Sequence, residues 1–92
     1  MTHYKWLIAK RSREEAEDYA LRQEDYYDYC EVQECLGTVE EVYEMLREGF
    51  DGRLAKKLRM NGITVEDKPE WLKALISKGK GKHKVFIIDC HD

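Results

Sequence analysis

Cys30, Cys35, Cys90 and His91 are the residues best equipped for chemistry in this 92-residue chain. A tetrahedral zinc site draws on such soft donors, usually as close pairs of the form C-x2–4-C. Cys30 and Cys35 stand at C-x4-C, which is tolerable. Cys90 and His91 are adjacent, which is poor, because neighbours on a strand point to opposite faces. The same alternation separates acid, thiol and imidazole in Asp89-Cys90-His91, so that run does not read as a nucleophile with its base. The odd cysteine count, with no leader-like segment at Met1–Ile8, points to reduced, partly buried thiols in a cytoplasmic protein. No metal, cofactor or enzymatic activity is expected, and the fold should depend on neither metal nor disulfide.

Glu24, Asp25, Tyr26, Asp28, Tyr29 and Glu31 are candidates of a different kind. Carboxylates interleaved with tyrosines suit a docking patch for a basic protein surface, the tyrosines supplying rigid contact area and a hydroxyl. The same spacing could imitate duplex phosphates and occupy the site of a DNA-binding protein, or could be a solvated helix face.

A basic counterpart follows. Arg53, Lys56, Lys57 and Arg59 on one helix, and Lys78, Lys80, Lys82, His83 and Lys84 in a late loop, could grip phosphates. Thr38 to Met60 has the outline of a helix-turn-helix, but its second helix lacks an outward Asn or Gln to read bases. Gly79-Lys80-Gly81-Lys82 lacks the spacing of a phosphate loop.

These two stretches reflect a wider segregation. Glu14 to Asp51 carries fourteen acidic and two basic residues, a net of −12, whereas Gly52 to Phe86 carries ten basic and three acidic, a net of +7; the whole chain is only −3. Charge of that pattern bears on partners and encounter rates rather than on fold. The length suits one domain, residues 1–92. No apolar run approaches the roughly 18–20 residues that span a bilayer.

The elements that must position these groups follow from periodicity and caps. Tyr4–Ala9 and Lys84–Cys90 read as strands, the second apolar enough to be covered on both faces. Ser12 with Glu15, and Thr38 with Glu41, have the form of capping boxes. They open a helix over about 13–27 and another from Val39, in which Val42, Tyr43, Leu46 and Phe50 keep helical spacing and Gly49 supplies the stop. Tyr29–Leu36 alternates as a weaker strand. Asp51 caps a third helix, 52–60, with Leu54, Ala55 and Leu58 inward. Pro69 opens a fourth, carrying Trp71, Leu72, Leu75 and Ile76 to Gly79. Trp6 and Trp71 read as core. The expectation is an α+β fold: two or three short strands, the terminal two adjacent, packed with three to four helices. The leading function is that of a small accessory or inhibitor protein with an acidic, tyrosine-bearing face; nucleic-acid binding through the basic groups is the alternative.

Overall fold

In the computed structural model, which describes residues 2–92, the most apolar segment becomes the centre of the sheet. Three strands, β1 (His3–Lys10), β2 (Tyr29–Thr38) and β3 (Lys84–His91), pair antiparallel in the order β1-β3-β2. Four helices complete the α+β fold: α1 (Arg13–Gln23), α2 (Val39–Leu46), α3 (Arg53–Met60) and α4 (Lys68–Ser77). The terminal strands are neighbours, as expected. Val85 to Cys90 is buried without a break, which explains why Val85–Ile88 runs apolar instead of alternating, and Asp89 is the one charged group taken into that run.

The chain divides into two compact units, Met1–Gly37 with His83–Asp92, and Thr38–Lys82. In the first, register decides what each sheet face carries. Ile8 lies opposite Phe86, Trp6 opposite Ile88 and Tyr4 opposite Cys90. That face packs Ile8, Phe86, Ile88 and Cys90 against Ala16 and Ala20 of α1, whose small side chains let the helix settle close to the sheet. Trp6, Tyr19, Tyr27 and Val32 rim this core, and the Trp6 indole donates to the Tyr19 hydroxyl at 2.9 Å. Trp6 is therefore a rim residue, its apolar body packed and its N–H satisfied. The opposite face carries the alternate residues, with His3 opposite His91 and Lys5 opposite Asp89.

Helix α1 starts where the sequence implies, but its capping box is half formed. Ser12 Oγ accepts from the Glu15 N–H at 3.2 Å. The Glu15 carboxylate turns instead to Arg11, accepting from its backbone N–H at 3.2 Å and its guanidinium at 2.6 Å. The helix ends at Gln23, four residues short of the expected Tyr27. Two contacts pull the chain out of helix: the Cys30 N–H donates to the Glu24 carboxylate at 3.2 Å, and the Asp28 N–H donates to the His91 carbonyl at 3.0 Å. Sheet pairing overrides helical pattern here, and β2 is longer than the 29–36 expected.

In the second unit, Thr38 forms a complete capping box with Glu41. A further first-turn donor, the Glu40 N–H, is satisfied by the Gly81 carbonyl at 3.1 Å. A side chain at Gly81 would overlap the Glu40 carboxylate, so the expected flexible basic loop is seated on the start of α2. Val39, Val42 and Leu46 of α2, Leu54, Ala55 and Leu58 of α3, and Leu72 of α4 are buried. Trp71, Leu75 and Ile76 are half-buried, so the expected core role of Trp71 is only partial. Helix α2 packs chiefly on α4, with fewer contacts to α3. It stops at Leu46, just ahead of the expected stop at Gly49, which takes a left-handed φ of 94° in the exit turn. Phe50 therefore lies outside the apolar stripe and is exposed. The Asp51 cap is also corrected: Gly52 occupies that position, with no side-chain bond.

Candidate functional site

The acidic run lies in the turn after α1 and at the start of β2. Asp25, Tyr26, Asp28, Tyr29 and Glu31 are exposed, Tyr26 to 77%. Tyr29 is less free, because its hydroxyl donates to the Glu31 carboxylate at 3.4 Å and its ring meets that of His91 edge-on at 5.4 Å. Glu24 is half-buried and its carboxylate holds the turn through Cys30. It is better described as a support of this face than as a contact residue.

One exposed residue escaped the sequence reading. Leu21 of α1 is 65% exposed and lines a groove between α1 and β2 with Glu17, Asp18, Glu24 and Glu31. Arg13, also on the groove, is neutralised by Glu17 at 3.0 Å. The available signal was that Leu21 falls off the Ala16–Ala20 stripe, so a leucine there has no core to enter. The unit that carries this face, Met1–Gly37 with His83–Asp92, has eleven acidic and six basic residues, a net of −5.

The basic candidates are less cohesive. Arg53, Lys56 and Lys57 are exposed on α3. Arg59 is engaged, its guanidinium 3.6 Å above the Phe50 ring and donating to the Phe50 carbonyl at 2.6 Å. Lys82 pairs with Glu40 at 3.2 Å, and Lys78 and Lys80 are exposed in the same unit, whereas His83 and Lys84 belong to the sheet unit. Six residues separate α2 from α3, longer than the 3–4-residue turn typical of a helix-turn-helix. The second unit nets only +2, because acidic α2 sits within it.

The cysteine expectation is overturned. Cys30 and Cys90 form a disulfide, with Cα atoms 4.1 Å apart on β2 and β3. Directly opposed residues of adjacent antiparallel strands bring two side chains together on one face; the sequence showed neither that pairing nor its register. Cys35 is a free thiol and is exposed, not partly buried. The four soft donors do not converge, since His91 points away from the face that carries Cys90.

His91 meets different partners. Register places His3 across from it, and Asp89 is two residues away on the same face. His3 Nδ1 lies 3.1 and 3.3 Å from the two Asp89 carboxylate oxygens, and the two imidazole rings are 4.2 Å apart. Asp89 is only 6% exposed. His91 Nε2 stands 3.4 Å from Asp89 Oδ2, within ion-pair range but so poorly aligned that this buried nitrogen makes no hydrogen bond. His3 was overlooked in the sequence because 86 residues separate it from Asp89. No protein-family model, curated protein or solved structure matches the chain.

Proposed function

We propose that this protein is a non-enzymatic accessory or inhibitor protein that docks its acidic, tyrosine-bearing face on a basic surface of a larger protein. The observation that carries the reading is that exposed Leu21 shares a groove with Glu17, Asp18, Glu24 and Glu31, and that the exposed Asp25, Tyr26 and Asp28 follow in the turn just after α1, all in the net-negative unit. Carboxylates steer a basic partner during encounter, while large side chains with few rotatable bonds hold it once docked. A nucleic-acid role for α3 and the lysine loop is weaker, because Arg59 is committed to Phe50 and Lys82 pairs with Glu40. Among the described residues no helix is long and apolar enough to cross a membrane. A cytoplasmic location belongs to the same proposal; the disulfide pulls against it, since such bonds persist mainly in oxidising compartments.

The test is a capture experiment from cell extract with a photo-crosslinker beside Tyr26, using wild type and the double reversal Asp25→Lys/Asp28→Lys. The reversal should abolish or slow capture of a salt-sensitive partner. Tyr26→Ala should speed its dissociation, at a cost of about 2 kcal/mol if the ring is central to the interface. Both variants should keep the wild-type melting temperature. Equal recovery of the same partner by wild type and reversal would leave the face as solvated surface and defeat the reading.

A further inference from the structure

We propose that His3, Asp89 and His91 bind a single divalent transition-metal ion, zinc being the ion that the donors fit. This goes beyond the docking reading and does not depend on it. The three side chains share the sheet face opposite α1 and come from two strands whose pairing sets their approach. One donor atom from each lies within 4.8 Å of the others. With zinc–ligand bonds of about 2.0–2.2 Å in tetrahedral geometry, neighbouring donors stand about 3.3–3.6 Å apart. The two histidine–aspartate separations, 3.1 and 3.3 Å from His3 Nδ1 and 3.4 Å from His91 Nε2, lie close to that edge length, and the histidine–histidine separation is within 4.8 Å.

The unsatisfied chemistry points the same way. Buried polar nitrogens nearly always have a partner, yet His91 Nε2 is buried, stands 3.4 Å from Asp89 Oδ2, and makes no hydrogen bond. A metal would supply that partner and would also compensate a carboxylate that is 6% exposed. Two imidazoles and one carboxylate favour zinc and its neighbours over calcium or magnesium, which take oxygen donors. The supporting contacts that orient a ligand are present for His91: its carbonyl accepts from the Asp28 N–H at 3.0 Å and its ring abuts Tyr29. The His3 side chain is 45% exposed, so water can reach the fourth position. Lys5, opposite Asp89 in register, brings a positive charge to the same face and should moderate affinity.

The experiment uses the untagged 92-residue chain, stripped with chelator and carrying Cys35→Ser so that the exposed thiol does not contribute. Zinc is titrated against a competing chromophoric chelator, and cobalt(II) is added while the histidine ring signals are followed by NMR. Wild type should take up one equivalent, and cobalt should broaden His3 and His91 but spare His83. His3→Ala, at a partly exposed position near a strand end, should weaken binding by more than about tenfold, since even outer-shell substitutions at metal sites cost that much. His83→Ala should not. Absence of one-equivalent uptake, equal affinity in His3→Ala, or broadening centred on His83 would overturn the proposal. The wild-type NMR measurement decides the matter even if a variant fails to fold.

Discussion

Tyr19 and Tyr26 lie seven residues apart, yet their surroundings give the two hydroxyls different work. Tyr26 projects into solvent from a turn, so its removal should affect association and not folding. Tyr19 closes the rim of the sheet core, accepting from the Trp6 indole at 2.9 Å, with Lys10 5.2 Å from its ring centre. Tyr19→Phe keeps the ring and removes the acceptor, leaving the half-buried indole N–H to find water. The expected cost is about 1 kcal/mol, read as a lower denaturant midpoint with unchanged slope. An unchanged midpoint would mean that solvent already satisfies the indole. Arg59 makes a comparable point for function. A guanidinium stacked on Phe50 and bonded to its carbonyl is a structural cation, so a count of basic residues overstates what α3 can offer to phosphate.

At the scale of elements, two helix starts carry the clearest electrostatic signatures. The Thr38 backbone N–H, donating to Glu41, is the main cause that holds the Glu41 carboxyl below its ordinary value of 4.5, with the Thr38 hydroxyl adding to it. The hydrogen bond from the Arg11 side chain lowers Glu15 in the same way, and the Arg11 guanidinium is raised in return. Both carboxylates are depressed on folding, so their contribution is fully present above about 4.5 and is lost as pH falls through the lowered folded values. A scan of melting temperature against pH should therefore drop in acid. Glu15→Gln/Glu41→Gln should flatten that limb by lowering the melting temperature at neutral pH towards its acid value; an acid limb as steep as wild type would assign the drop to other carboxylates. Thr38→Ala removes the cap itself and should cost about 1 kcal/mol at neutral pH.

At the scale of the whole molecule, the disulfide changes what stability means. It joins residues 60 apart, linking β2 to β3, and the loop it closes contains the entire Thr38–Lys82 unit. Cross-links over long loops typically contribute about 2–4 kcal/mol, largely by restricting the unfolded chain. Reductant, or Cys30→Ala/Cys90→Ala, should lower unfolding stability by that amount in a denaturant titration. Identical curves with and without reductant would show that the two thiols stay apart in solution. The charge pattern also changes at this scale. Segments of −12 and +7 along the chain become units of −5 and +2, because acidic α2 folds into the unit that holds basic α3.

The sequence alone determined the α+β class, the adjacency of the terminal strands, and the starts of α1 and α2. The helix starts rest on local information, a serine or threonine followed three residues later by glutamate, and the strand adjacency on two short apolar segments, Tyr4–Ala9 and Lys84–Cys90, that each need covering. It also marked Asp25, Tyr26, Asp28 and Glu31 as polar groups with no place in an apolar stripe, and these are exposed. Tertiary structure decided the rest. The end of α1 moved to Gln23 because β2 found its hydrogen-bonding partner in β3, a pairing between distant segments. That same pairing set Cys30 against Cys90, and the β1–β3 register set His3 against His91. A shift of one residue in either register would send these side chains to opposite faces. Register is fixed by how the whole apolar set fits its cover, which is why neither the disulfide nor the histidine–aspartate cluster could be read from spacing along the chain.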